Sequence, residues 1–276
     1  MNILCIVGAT ATGKSALAVT LAKERNGEIV NADSRQLYRG FEIGTGVPMG
    51  AECGGIAHHL YAFLSPDDSF SVSEWRKLAL EKMQEVESRC RLPILVGGTG
   101  FYVHAILENL QFPEVPPNIK LRTRFAGMPL EDLVRELVVL DPHAEVDVDL
   151  KNPRRVQRAL EVCLSTGKPF TSQKAMGPKL VEAEVMHLTL PRNELRKKIA
   201  DRIEGMLAVG WLDEVRRIKA SGVDPQSPAM QAIGYRELWE VLDGLMSFEE
   251  AKKIIIQKTQ QYAKKQETWF TRQFPL

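Results

Sequence analysis

Apolar residues along this chain fall into runs of two kinds. Short runs without alternation, ILCIV after Asn2, EIVN at 28–31 and PILV at 93–96, have the character of strands in a parallel sheet covered on both faces. Between them apolar positions recur at helical spacing: Leu17, Ala18, Leu21 and Ala22 after Lys14, then Val72, Trp75, Ala79, Met83 and Val86 behind Ser71, which suits a helix cap. Gly27 ends the first helix, and Arg89, Arg91 and Pro93 close the second. From Phe112 the texture changes. PEVPP marks a link, and the chain to about Gly177 reads as helices with no clear strand. A strand at 185–190 returns to the sheet, followed by helices at 192–209, 211–221, 235–243 and 247–270. The pattern predicts an α/β fold, a parallel sheet flanked by helices. Its core spans 1–111 and 178–276, with a small all-helical insertion domain at 112–177.

Composition narrows the setting without naming a chemistry. With 276 residues, 44% of them apolar, the chain can bury a full core. The 36 Lys and Arg nearly cancel 35 Asp and Glu, so a nucleic-acid partner would need a local basic patch. Cys5, Cys53, Cys90 and Cys163 lie far apart with no CxxC pair, which suits a reduced, cytoplasmic protein. The opening apolar run is too short for a signal core, lacks a basic flank and leads into a glycine loop, so no membrane is expected as partner.

That loop, Gly8-Ala9-Thr10-Ala11-Thr12-Gly13-Lys14-Ser15, fits the phosphate-binding pattern GxxxxGK(S/T) between a strand and a helix. The glycines let successive N–H groups face phosphate oxygens, Lys14 adds a charge, and the Ser15 hydroxyl is a Mg²⁺ ligand of the usual kind. The fold is therefore expected to be P-loop NTPase-like. No apolar strand ends in the acid that ATP hydrolysis would want, because the best candidate runs into Gly97 and Gly98. The strand at 28–31 delivers Asp33, Ser34 and Arg35 to the sheet edge where ligands sit in such folds.

Seven blocks, GATATGKS, NADSRQLYRGFEIGTGVP, GGTGFY, NPRRVQRALEV, TGKP, AIGYREL and QYAKKQETWF, run in the order found in the tRNA dimethylallyltransferase family, which the chain resembles over nearly its whole length. The resemblance implies transfer of dimethylallyl from dimethylallyl diphosphate to N6 of adenosine 37 beside the tRNA anticodon, in the context A36-A37-A38, by a monomer using Mg²⁺. It also implies a channel through the core that encloses both substrates. By the same resemblance Asp33 is the general base, Ser15 and Arg216 (in GWLDEVRR) serve the diphosphate, and Ser34, Arg35, Gln36 and Thr99 face the target base. Arg122, Arg154, Arg155, Val156, Gln157, Arg158, Arg236, Lys264 and Lys265 are then expected to contact tRNA. The chemistry agrees: a diphosphate leaving group needs N–H donors, a lysine and a metal, and an adenine amine needs a base. The window from Lys151 to Lys174 supplies the patch, with six Lys or Arg against one acid, Glu161. Ala9, Ser15 and Gln260 depart from the usual proline, threonine and arginine, and the last removes an expected phosphate ligand. Rival readings are an adenylate isopentenyltransferase, a small-molecule kinase and an RNA-stimulated NTPase.

Overall fold

The computed structural model describes residues 1–113, 115–173 and 175–274. Glu114 of the PEVPP link and Lys174 of the basic window lie outside the described residues. The chain divides into two compact units, Met1–Leu107 with Lys179–Leu276, and Glu108–Pro178.

The first unit is built on five parallel strands in the order β3-β2-β4-β1-β7: β1 Asn2–Gly8, β2 Gly27–Asn31, β3 His58–His59, β4 Leu92–Gly97 and β7 Glu182–Leu188. Alternate residues of the strands feed two cores, which explains their unbroken apolar runs. Leu4, Ile6, Ile29, Ile94 and Val96 pack with Ala18 and Ala22 of α1 (Lys14–Glu24). On the opposite face Ile3, Cys5, Val7, Val30 and Leu95 pack with Trp75 and Met83 of α3 (Val72–Ser88) and with α4 (Gly100–Leu107). That core also takes in residues of α9 (Arg192–Ala208), α10 (Trp211–Ala220), α11 (Tyr235–Leu242) and α12 (Phe248–Gln273). A single turn, α2 (Glu42–Thr45), lies between β2 and β3. Ser71 caps α3 as its sequence suggests, accepting from the Glu74 N–H while the Glu74 carboxylate accepts from Ser71 N–H.

The last strand starts three residues before its expected position and ends at Leu188. Pairing with β1, from Asn2↔Glu182 to Gly8↔Leu188, sets its bounds, whereas the Glu-Ala-Glu at its start reads as polar loop. Among the described residues no helix is long and apolar enough to cross a membrane.

The second unit contains α5 (Ile119–Ala126), α6 (Leu130–Leu140), α7 (Ala144–Asp147) and α8 (Pro153–Thr166) around Phe125, Leu133, Leu137, Val156 and Leu160. Asn152 caps α8 and Pro153 occupies its first turn. The unit is not wholly helical, because β5 (Leu110–Gln111) pairs antiparallel with β6 (Ala175–Met176). Two-residue strands are too short to leave a period in the sequence.

Candidate active site

The ends of β1, β2 and β4 meet at one sheet edge, and each delivers a loop. After β1 the chain turns at Gly8, where φ is +146° and a Cβ would overlap the Leu188 carbonyl, so only glycine fits there. The loop is tied inward by its own polar groups. Thr12 Oγ1 and Lys14 Nζ both donate to the Ala9 carbonyl, at 2.9 and 2.6 Å. Burial lowers the Lys14 pKa to about 8, with Asp33 opposing that shift and Arg202 adding to it. Ser15, in the first turn of α1, is exposed.

After β2, Asp33 folds into a local turn. Its N–H donates to Asn31 Oδ1 at 2.8 Å, and its Oδ1 accepts the Arg35 N–H at 3.0 Å, which leaves Oδ2 directed elsewhere. Ser34 and Thr99 meet each other: the Ser34 N–H donates to Thr99 Oγ1 at 2.9 Å, and that hydroxyl donates to Ser34 Oγ at 3.2 Å. Gln36 donates to the carbonyls of Thr45 and Gly46 at 3.0 and 2.8 Å, holding the turn after α2. A residue far along the chain completes this edge. Gln266 of α12, 6% exposed, accepts the Thr10 N–H at 2.9 Å and donates to the Gly98 carbonyl at 2.7 Å, joining the loops after β1 and β4.

A cavity of about 230 Å³ opens against these loops. Thr10, Lys14, Ser15, Asp33, Arg35 and Gln36 line it, and so does Arg202, which donates to Thr10 Oγ1 at 3.3 Å. Ile199, Ile203, Met206, Trp211 and Ile233 form an apolar wall, and Thr259 and Tyr262 of α12 also face the space. Charge and polarity are thus gathered at the loop end and apolar surface along α9 and α10, the layout required by a ligand with an anionic head and a hydrocarbon tail. Among the described residues no three His, Cys, Asp or Glu side chains cluster as a metal cage. A hydroxyl and a carboxylate in one cavity, Ser15 and Asp33, nevertheless suit Mg²⁺ that takes its other ligands from phosphate oxygens and water.

Several expected site residues are elsewhere. Arg216 lies on the exposed side of α10, ion-paired with Asp213 one turn back, and does not line the cavity. The arginines that line the cavity are Arg35 and Arg202, and Arg202 is the one bonded to the loop after β1. Its signal was present in the sequence, because Arg202 falls within the stripe Ile199, Ile203, Met206, and an arginine in an apolar stripe needs a partner. Val156 is fully buried in the second unit, so its side chain is core. Arg122 and Arg158 of that unit both pair with Glu161, 1% exposed, at 2.8 and 2.6 Å; burial, the largest single effect, raises the Glu161 pKa, but these pairs and the Asn118 N–H together outweigh it and hold the pKa low. One of the two arginine charges therefore balances a buried acid, which the apparent lone Glu161 in a basic window concealed. Gln157 is half-buried, Arg154 is exposed, and Arg155 is exposed and pairs with Asp149 at 3.5 Å. Arg236 on α11 and Lys264 and Lys265 on α12 are exposed in the first unit.

A family profile described as IPP transferase matches residues 36–273, and one described as isopentenyl transferase matches residues 1–62. The chain belongs to the IPP transferase family. A protein of Thermomicrobium roseum named tRNA dimethylallyltransferase is 41% identical over 276 residues, spanning 98% of this chain and 83% of the relative. Among solved structures, the tRNA isopentenylpyrophosphate transferase of Bacillus halodurans superposes with a TM-score of 0.70 at 34% identity, covering 98% of this IPP transferase and 86% of that chain. A eukaryotic dimethylallyltransferase described as acting on tRNA gives a TM-score of 0.85 at 25% identity, over 98% of this chain and 69% of the other. The P-loop, the Asp33 turn and the Gln266 bridge thus belong to a family member whose relatives are named for prenyl transfer to tRNA.

Proposed function

We propose that this IPP transferase moves dimethylallyl from dimethylallyl diphosphate to N6 of an adenosine in tRNA, the one at position 37 beside the anticodon. The observation that carries the reading is one cavity that holds Lys14, Ser15 and Arg202 beside Asp33 and continues into an apolar wall. The loop N–H groups, Lys14 and Arg202 take the diphosphate, and the bidentate fork of Arg202 suits a phosphoryl edge. Ser15 would be the protein ligand of Mg²⁺, with Asp33 in the same cavity, and the metal would supply further neutralisation of the leaving group. The N6–C1 bond forms as the C1–O bond breaks, the electron pair of that bond departs with diphosphate, and Asp33 Oδ2 takes the N6 proton. Arg35 N–H on Oδ1 keeps the carboxylate oriented for that step. The target base leaves its stack to reach the cavity, and Gln36 and Tyr262 are the polar and aromatic surfaces it meets there. Exposed Arg154 and Arg155, together with Lys264 and Lys265, serve RNA phosphates.

The experiment is transfer of labelled dimethylallyl to unmodified tRNA with A36, A37 and A38, with AMP in a parallel tube. The expected result is label in tRNA that Asp33→Ala abolishes. Arg202→Ala is expected to lower kcat/KM for the prenyl diphosphate by about 10²–10³-fold, as for loss of a charged donor at a leaving group, while Arg216→Ala stays within about twofold. Label in AMP alone would make the acceptor a free nucleotide, and no label in either would end the prenyl-transfer reading.

A further inference from the structure

Two segments leave the phosphate end of the cavity side by side. On α9, Arg202 holds Thr10, Met206 follows one helical turn of about 5–6 Å later, and the chain then turns at Gly210 into Trp211. On the facing segment Gly46 packs against Arg202 and Met206, and Gly44 packs against Trp211. Both therefore run from the guanidinium toward the indole. Trp211 lines the cavity at the end of this path away from Arg202.

The indole is held so that it cannot retreat. It is 1% exposed. A Cβ at Gly44 would overlap the ring nitrogen, and one at Gly234 would overlap its six-membered ring, so bare backbone presses on the ring from two sides. Tyr235 stands against it at 5.7 Å and 71°, and the Tyr235 hydroxyl is shared between Glu214, at 2.7 Å, and the Phe41 carbonyl, at 2.8 Å. The same Glu214 carboxylate accepts the N–H groups of Ile43 and Gly44, at 2.8 and 3.2 Å, so the backbone behind the ring is tied to the same anchor.

We infer that Trp211 sets the length of the prenyl chain, admitting five carbons and excluding ten, an inference that rests on the prenyl-transfer reading above. A pocket discriminates weakly against a missing methylene but strongly against atoms that overlap a wall that cannot yield. Trp211 touches the tail and not the reacting atoms, so it is a specificity-determining residue.

The test compares kcat/KM for dimethylallyl and geranyl diphosphate with one RNA acceptor in the wild type, Trp211→Phe and Trp211→Leu, with folding checked by thermal melting. The wild type is expected to favour dimethylallyl by at least about 100-fold. The geranyl-to-dimethylallyl ratio is expected to rise by at least about tenfold in the leucine variant, and by less in the phenylalanine variant, which keeps an aromatic body and decides the matter if leucine fails to fold. The wild type also reports without substitution: geranyl diphosphate is expected to compete no better than inorganic diphosphate. Equal use of both substrates by the wild type, geranyl competition as strong as that of dimethylallyl diphosphate, or an unchanged ratio in a folded variant overturns the inference. A wild type inert with dimethylallyl diphosphate overturns the prenyl-transfer reading itself.

Discussion

Lys14 carries its ammonium group in a half-buried loop against the Ala9 carbonyl, with Arg202 adding like charge and Asp33 opposing it. A lysine whose pKa falls from 10.5 to about 8 on folding is a cation that the free protein holds at a cost. The unfolded chain binds more protons than the folded one between those two values, so this contribution to stability rises with pH across that window and the penalty is full below about 8. The melting temperature of the wild type minus that of Lys14→Met is therefore expected to increase from pH 8 to pH 10. Diphosphate restores the charge, so its binding near pH 8 is expected to take up protons, as calorimetry in buffers of different ionisation enthalpy would register; proton release would contradict the assignment. The lysine was legible in the sequence because the motif that marks it is contiguous, from Gly8 to Ser15. Asp33 was legible for a related reason, standing two residues beyond a strand end. Arg202 was legible only as an arginine within an apolar stripe; its place in the cavity depends on α9 meeting a loop some 190 residues earlier, as its bond to Thr10 records.

At the scale of elements, α12 does more than close the core. One face of it buries Ile255, Ala263 and Phe270 and, between them, brings Tyr262 and Gln266 to the sheet edge, while Lys264 and Lys265 on the other side remain exposed. Gln266 spans two loops with one amide, so replacing it by alanine strands a backbone donor on the phosphate loop and an acceptor at Gly98. Gln266→Ala is expected to weaken inorganic diphosphate binding by about tenfold, as leaving such groups unpaired costs about 1–3 kcal/mol. Unchanged affinity in a folded variant would mean that the phosphate loop keeps its shape without α12. Helices of this kind were readable from their spacing, and β1, β2 and β4 from unbroken apolar runs. The Gln266 bridge was not, because a glutamine in a polar-looking QYAKKQETWF stretch gives no sign of being buried until its helix is packed.

For the molecule as a whole, near-neutral net charge leaves RNA affinity to local clusters. Arg154, Arg155, Lys264 and Lys265 are exposed, whereas Arg122 and Arg158 are held by Glu161. Changing the first four to glutamine is expected to weaken tRNA binding and make it less steeply salt-dependent, by roughly one unit of slope for each phosphate left without its cation. A slope equal to that of the wild type would assign the RNA phosphates to other residues. The sequence could not separate these two groups of arginines, because the partner that distinguishes them is a buried acid within the same window.

The pairing of β1 with β7 joins Asn2 to Glu182, so β1 is completed by a strand that emerges from the ribosome about 180 residues later. Until then β1 has β4 on one side and an open edge on the other, and the phosphate loop hangs from a half-built sheet. Nascent chains halted before Glu182 should accordingly depend on chaperones, and the order of synthesis itself becomes a constraint on where this protein tolerates truncation.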